Sequence, residues 1–203
     1  MKVITIDMDI IMAPVIESYN DKVGLEYTIT DLLNDFPYMK TMNGDLFLFE
    51  YITQFFLKAL KTLPKEKIHF ISSHEEICSL IKNEKVELIN VDHHHDICYN
   101  EKDWNNKILK PGVGNWVKYL YDNEQLLSYY WVGDKNSLFP DEECPTELFN
   151  EYQNFSDIKN TNLNKFLDGT DMLVFCESTE WVPMHYQPLF HILETIYAGF
   201  DKS

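Results

Sequence analysis

Short apolar runs and amphipathic segments alternate along most of this chain. Four of the apolar runs stop abruptly at polar residues, and they cover residues 3–6, 68–71, 86–91 and 173–176. Unbroken apolar runs of this length are typical of strands buried on both faces of a parallel sheet. A similar run covers residues 126–132, so the pattern predicts five strands.

Helical periodicity is clearest in residues 43–63. There, apolar residues recur every four positions, namely at Phe47, Tyr51, Phe55, Ala59 and Leu63, and Asn43 is a candidate N-cap. Shorter helices are predicted at residues 75–82, 114–121 and 188–198. This alternation predicts an α/β fold, a mainly parallel sheet flanked by helices, in a single domain over residues 1–203. The polar stretch 133–164 is predicted to be an irregular excursion over one face.

The composition narrows the classes of function. The chain is 45% hydrophobic with a net charge of −16, and all of its cationic side chains are lysines apart from histidine. Nucleic acid is therefore not an expected partner, because phosphate neutralisation needs a basic surface and arginine is the usual base reader. The N-terminal run predicts a strand rather than a signal peptide, and no apolar segment has the length of a membrane span.

The four cysteines are widely separated. Cys78, Cys98, Cys144 and Cys176 form no C-x-x-C pair, so neither a zinc ribbon nor a redox motif is indicated. Free thiols of this kind are typical of a reducing compartment. We therefore expect a cytoplasmic protein.

The strongest chemical signal is the segment Asp-His-His-His-Asp at residues 92–96, directly after a predicted buried strand. If this segment continues as extended chain, alternate side chains place Asp92, His94 and Asp96 on one side and turn His93 and His95 away. A set of carboxylate and imidazole ligands suits Mn²⁺, Zn²⁺ or Fe²⁺. The alternative is a solvated polar turn.

Two weaker signals follow other predicted strands. Asp7 and Asp9 form a D-x-D pair at one strand end, and His74 follows another. Either signal alone is compatible with exposed acids or with a histidine at a helix start. Because the carboxyl ends of parallel strands share one edge of a sheet, we expect all three segments to converge there, on strands that are neighbours. Two divalent ions roughly 3.5 to 4 Å apart could then activate a water molecule.

These motifs together resemble the six-ligand dimanganese site of the arginase–deacetylase (ureohydrolase-like) superfamily. Within it, the chain is most similar to the family that includes peptide arginases, on the further strength of Gly114-Asn115-Trp116 and of residues 176–183. The resemblance implies an arginase-like three-layer αβα fold. It also implies hydrolysis of a guanidinium C–N bond, converting arginine residues of a peptide into ornithine and urea with two Mn²⁺ ions.

The resemblance further implies roles for individual residues. Asp7 and Asp92 would bridge both ions, His74 and Asp96 would complete one site, and His94 and Asp9 the other. Glu177 would bind the guanidinium, with Glu180 as the competing carboxylate, and Asn115 would hold the substrate backbone or merely cap a helix. The candidate catalytic residues are Asp96, Glu177 and His185, the last as a proton shuttle or a surface histidine. The substrate is either an arginine-containing peptide or a small guanidine.

Two features depart from the family. The D-x-D pair precedes the other ligands instead of following them, and Val117 stands where a shuttling histidine is expected. Asp92-His93-His94 also matches the D-H-H signature of a phosphoesterase family, although this chain lacks that family's G-G-G-H segment. A dehalogenase-like phosphatase would leave the histidine cluster unused. A metal-binding protein without catalytic activity is the third alternative.

Overall fold

The computed structural model describes residues 1–12, 44–97, 106–134, 137, 153–179, 181–182 and 186–200. Within them, six strands form one sheet in which every neighbouring pair is parallel. The strands are β1 (Lys2–Asp7), β2 (Ile68–Ile71), β3 (Val86–Val91), β4 (Leu126–Gly133), β5 (Gln153–Asp157) and β6 (Met172–Cys176). Their order across the sheet is β2-β6-β1-β3-β4-β5. The predicted α/β class and parallel sheet are confirmed.

Four α-helices flank the sheet in the described part of the chain. They are α1 (Leu46–Thr62), α2 (Ile77–Ile81), α3 (Trp116–Asp122) and α4 (Gln187–Gly199). All four predicted helices are confirmed, with one correction at the start of α1. Its N-cap is Asp45, whose side chain accepts a hydrogen bond from the backbone N–H of Leu48, while Asn43 lies outside the described residues.

Successive residues of the central strands point to opposite faces, and each face has its own apolar core. Ile4 and Ile6 of β1 pack in the core that contains Phe56 of α1 and Phe190 of α4. Val3 of β1 packs in the second core, with residues of α2 and α3. Each fully buried side chain of this size contributes about 1.5 to 3 kcal/mol relative to an exposed one. The result is the predicted three-layer arrangement of helices, sheet and helices.

One part of the sequence-based prediction was wrong. Residues 133–164 were expected to be irregular, yet Gln153–Asp157 form the edge strand β5, followed by short 3₁₀ helices at Ile158–Asn160 and Leu163–Phe166. The apolar pattern of β5 is weak because an edge strand has one strand neighbour instead of two and is less enclosed.

The second correction concerns strand neighbours. β1 pairs directly with β3, as the convergence of their motifs requires. However, β6 lies between β1 and β2, since it pairs with both. His74, which follows β2, must therefore reach across the end of β6 to meet the residues of β1. No helix in the described residues is both long and apolar enough to cross a membrane.

Candidate metal centre

The six predicted metal ligands lie together at the carboxyl end of the sheet. They come from the ends of β1 and β3 and from the segment that follows β2. Five of them are buried, namely Asp7, Asp9, His74, Asp92 and Asp96. The side chain of His94 is the most accessible, with 14% of its surface exposed. The sequence signals therefore identified one place in the fold.

Three carboxylates surround one ring nitrogen of His74, and we call these four residues the inner ligand set: Asp7, His74, Asp92 and Asp96. Nδ1 of His74 lies 3.1 Å from Oδ2 of Asp7, 3.2 Å from Oδ2 of Asp92 and 3.0 Å from Oδ2 of Asp96. Ligand atoms at neighbouring corners of an octahedron lie about 3.0 Å apart when each bond to the ion is about 2.1 Å. The three distances from Nδ1 of His74 are of that size.

The surroundings of Nδ1 of His74 show whether the inner ligand set fits a cation. Among the described residues, Nδ1 of His74 has no hydrogen bond of acceptable geometry, although three carboxylate oxygens crowd around it. A single N–H could satisfy only one of them, and a lone pair would be repelled by all three. A cation held by His74, Asp92 and Asp96 would relieve this crowding, so the chemistry of these residues fits a metal ion.

The outer ligand set consists of Asp9, Asp92 and His94. Nδ1 of His94 lies 2.7 Å from Oδ2 of Asp9 and 3.8 Å from Oδ1 of Asp92. Atoms of these three residues are close enough to hold one ion, as are those of His74, Asp92 and Asp96 in the inner ligand set. Asp92 belongs to both sets, with Oδ2 facing His74 and Oδ1 facing His94. Clusters of buried Asp and His residues that could hold metal ions are therefore present.

The electrostatics reflect this concentration of buried charge. Burial, followed by the charges of Asp96 and Asp7, raises the pKa of Asp92 to about 6. Burial also raises the pKa values of Asp7 and Asp9. For His94, burial lowers the pKa, but the nearby carboxylates outweigh it and raise the pKa to about 10. The carboxylates likewise raise the pKa of His74 well above its usual value. Protonated histidines thus balance part of the negative charge in the metal-free protein.

The segment after β3 does not continue as extended chain, contrary to the prediction. The strand ends at Val91, and Asp96 has a φ of 51°, in the left-handed region that Asp tolerates better than most residues. This bend turns Asp96 back over the site. The indole N–H of Trp116, at the start of α3, donates to Oδ2 of Asp96 over 2.6 Å and holds the carboxylate in place.

His93 and His95 face away from the ligand sets, as predicted, but neither is a surface group. His93 is buried and its Nδ1 is paired with the carboxylate of Asp134, which follows β4. Nδ1 of His95 accepts a hydrogen bond from the backbone N–H of Ile97. Burial and the charge of His94 lower the pKa of His95 to about 3. His95 is therefore a neutral histidine packed beneath the site.

Sequence reasoning missed several residues that contact the ligands. Thr5 and Cys176 lie in apolar strand patterns, where their polar atoms carry no signal of their own. The hydroxyl of Thr5 lies 2.7 Å from Nε2 of His74. Cys176 is close enough to Asp7 and His74 to join them around one ion, because β6 occupies the position between β1 and β2. Only the strand order could have identified it.

The described residues that were predicted to bind substrate, Glu177 and Asn115, make contacts away from the two ligand sets. Oε1 of Glu177 lies 3.6 Å from Nε2 of His191 in α4, so this carboxylate turns toward the helix. Asn115 is at the N-cap of α3, but its side chain makes no capping bond and instead accepts from the backbone N–H of Gly112. The proposed roles of Glu177 and Asn115 remain predictions. Glu180 and His185 lie outside the described residues.

A narrow cleft opens onto both ligand sets. It has a volume of about 10 Å³ and is lined by Asp7, Ser73, His74, His94, Asp96, Val113, Ser178 and Trp181. The ring centroid of Trp181 lies 5.1 Å from that of His94. A larger groove, of about 600 Å³, runs between the start of α1 and residues 158–162, but its described lining has no histidine. The chemistry therefore belongs to the cleft.

Comparison with known protein families, with curated proteins and with solved structures found no match to this chain.

Proposed function

We propose that the chain is a dinuclear metal-dependent hydrolase that acts on a guanidinium C–N bond. The favoured substrate is an arginine residue of a peptide, with ornithine and urea as products, and Mn²⁺ is the favoured metal. The observation that carries the proposal is the position of Asp92, whose two oxygens face two different histidines. A carboxylate shared in this way is the characteristic element of two-metal sites.

The charge of the cluster supports two ions. Asp7, Asp9, Asp92 and Asp96 bring four carboxylates into a buried space, and two divalent cations would neutralise them while His74 and His94 stayed neutral. Mixed carboxylate and imidazole ligands favour Mn²⁺, Zn²⁺ or Fe²⁺ over Mg²⁺ and Ca²⁺. When bound, the two ions would lower the pKa of a shared water and so supply the nucleophile.

The protein's own residues position the metal ligands and enclose the site. The carboxylates of the inner ligand set fix one side of the site below the surface, and Trp116 restrains Asp96. The cleft is smaller than the roughly 300 to 1,000 Å³ of pockets that enclose drug-sized ligands. With a volume of about 10 Å³ the cleft has room for one water molecule, so an arginine side chain would have to meet the metal site from outside it.

The chemistry of the cleft supports a planar cationic substrate. Trp181 lines the cleft beside His94, and a guanidinium group stacks favourably on an aromatic face. The strongly acidic chain would also attract a cation. Glu177 and Glu180 remain the candidate carboxylates for bidentate pairing. The free thiols of Cys78 and Cys176 support our further proposal that the protein works in the cytoplasm.

The decisive experiment uses protein purified without a metal-binding tag. Metal content is measured first, and urea release is then followed with Mn²⁺ on an arginine-containing peptide and on the same peptide with lysine in place of arginine. A phosphodiester substrate is assayed in parallel. We expect close to two ions per chain and urea from the arginine peptide alone.

Each other outcome selects a different alternative. Phosphodiester cleavage without urea would favour the D-H-H phosphoesterase. Two bound ions with no turnover on any guanidine or phosphodiester would favour a metal-binding protein without catalytic activity. Protein that binds no Mn²⁺, Zn²⁺ or Fe²⁺ would refute all three.

A further inference from the structure

Thr5 sits behind the metal centre in the middle of the sheet. It belongs to β1, is fully buried, and precedes Asp7 by two residues, so the two side chains project from the same face of the strand. Its hydroxyl oxygen lies 2.7 Å from Nε2 of His74, which reaches it across the end of β6. A polar side chain in this apolar strand therefore contacts the ring that anchors the inner ligand set.

The two nitrogens of His74 have different surroundings. Nε2 faces one hydroxyl, whereas Nδ1 faces three carboxylate oxygens and makes no hydrogen bond of acceptable geometry among the described residues. A neutral imidazole carries one proton, and the nitrogen without it provides the lone pair for a metal. The hydrogen bond made by the other nitrogen decides which one that is.

We infer that Thr5 is a positioning residue that accepts a hydrogen bond from Nε2–H of His74 and thereby presents the lone pair of Nδ1 to the metal. The inference rests on the proposed metal centre, but not on the identity of the substrate. The hydroxyl oxygen of Thr5 accepts this bond when its own proton is turned away from the ring. In the opposite tautomer, the lone pair would face Thr5 and the Nδ1 proton would occupy the space of the ion.

Removing the hydroxyl should weaken metal binding without removing a ligand. Thr5→Val keeps the branched shape but leaves a buried N–H without its acceptor, and loss of such a partner typically lowers metal affinity about 10- to 100-fold. Thr5→Ser keeps the hydroxyl and should stay near native affinity. Thr170→Val is the matched control, because Thr170 is also buried but lies at the opposite end of the sheet, just before β6. Its hydroxyl donates to the carbonyl of Phe166.

The experiment measures Zn²⁺ affinity by competition with a chelator, together with thermal unfolding of each variant. We expect the affinity to fall for Thr5→Val only, even if Thr170→Val loses as much thermal stability. Equal affinity in Thr5→Val and the native protein would overturn the inference, and so would an equal loss in Thr170→Val. Zn²⁺ is used because it is diamagnetic and permits the second measurement.

That second measurement does not depend on any variant folding. In Zn²⁺-loaded native protein with ¹⁵N-labelled histidine, we expect the ring signals of His74 to show a proton on Nε2 and the metal on Nδ1. A proton on Nδ1 would overturn the inference. Native protein that binds Zn²⁺ but never releases urea would refute the proposed reaction and leave the role of Thr5 intact, whereas native protein that binds no metal would refute both.

Discussion

The inner and outer ligand sets use the same types of residue but differ in enclosure. In the inner ligand set, four residues surround the space, and only 4% of the side chain of His74 is exposed. In the outer ligand set, three residues contribute, and 14% of the side chain of His94 is exposed, with its ring beside that of Trp181. The inner position is better suited to holding an ion permanently, and the outer position to meeting a substrate.

If the centre binds two ions, as we propose, one sheet edge supplies two kinds of site. A closed set with every position filled is typical of structural metals, whereas catalytic metals keep an open position. Asp92 joins the two sets, so we expect that changes to it affect both ions. Changes to a residue that belongs to one set only should affect the ion of that set alone.

Asp92→Asn should have the largest effect. The amide loses the negative charge that both ligand sets share, and its nitrogen cannot act as a ligand in place of an oxygen. We expect loss of both ions by metal analysis and turnover below detection. Asp171→Asn is the control, since Asp171 lies at the opposite end of the sheet and accepts from the backbone N–H of Lys2. Full metal content in Asp92→Asn would show that the cluster is not the metal site.

His94→Ala should remove one ion rather than two. The inner ligand set keeps all four of its residues, so we expect close to one ion per chain and no hydrolysis. In contrast, His74→Ala removes the only nitrogen of the inner ligand set and should weaken the retention of that ion. If His94→Ala empties both positions, the two sets act as one unit and the comparison between them is wrong.

The neutral state of His95 predicts how stability responds to acid. Its pKa is about 3 when folded and about 6.5 when unfolded, so above pH 6.5 it is neutral in both states. As the pH falls from 6.5 to 3, the unfolded chain binds a proton that the folded protein does not. The free energy of unfolding should then decrease by at most about 1.4 kcal/mol per pH unit for this group.

His95→Asn keeps an acceptor for the backbone N–H of Ile97 and removes the titration. The native protein and His95→Asn, both free of metal, are compared by urea unfolding between pH 6.5 and pH 3. The difference between them isolates the titration of His95, because the raised pKa of Asp92 opposes it equally in both proteins. Parallel pH profiles would show that His95 does not titrate as described.

Trp181→Leu should have the smallest effect on activity, and that effect should be restricted to substrate binding beside the outer ligand set. Loss of the aromatic face should raise KM for an arginine peptide about 5- to 30-fold, the range expected for a partly desolvated cation–π contact of about 1 to 2 kcal/mol. Metal content should not change. A raised KM for the arginine peptide alone would identify Trp181 as a substrate contact, whereas a loss of metal would assign it to the support of His94.

Much of the fold and of the candidate site follows from local sequence patterns. Buried parallel strands give continuous apolar runs, and the ligand residues interrupt those runs at positions that the sheet brings together. The edge strand β5 was missed because its sequence, Gln153–Asp157, lacks such a run. The bend that turns Asp96 back was missed because nothing in residues 92–96 marks a left-handed residue other than the tolerance of Asp for it.

The contacts behind the ligands required the strand order. Thr5, Cys176 and Asp134 reach the site from β1, β6 and the end of β4, and residues far apart in sequence provide their partners. A local pattern has no information about such pairs. The carboxylate of Glu177 could not be placed from the sequence for the same reason, because its partner His191 lies in α4.

The strand order also determines when each ligand set can form during synthesis. β1 and β3 pair directly, so the outer ligand set is complete once residue 94 has left the ribosome and these strands have met. Within the described residues, β2 pairs only with β6, which comes last in the chain among the described strands. Thr5, Asp7, Asp92 and Asp96 precede β6, but β2 has no described strand to pair with before residue 176 is available, so the sheet cannot hold His74 against them until then. Tight metal retention would then mark a folded chain that contains β6, and a chain shortened before β6 would hold its ions only loosely.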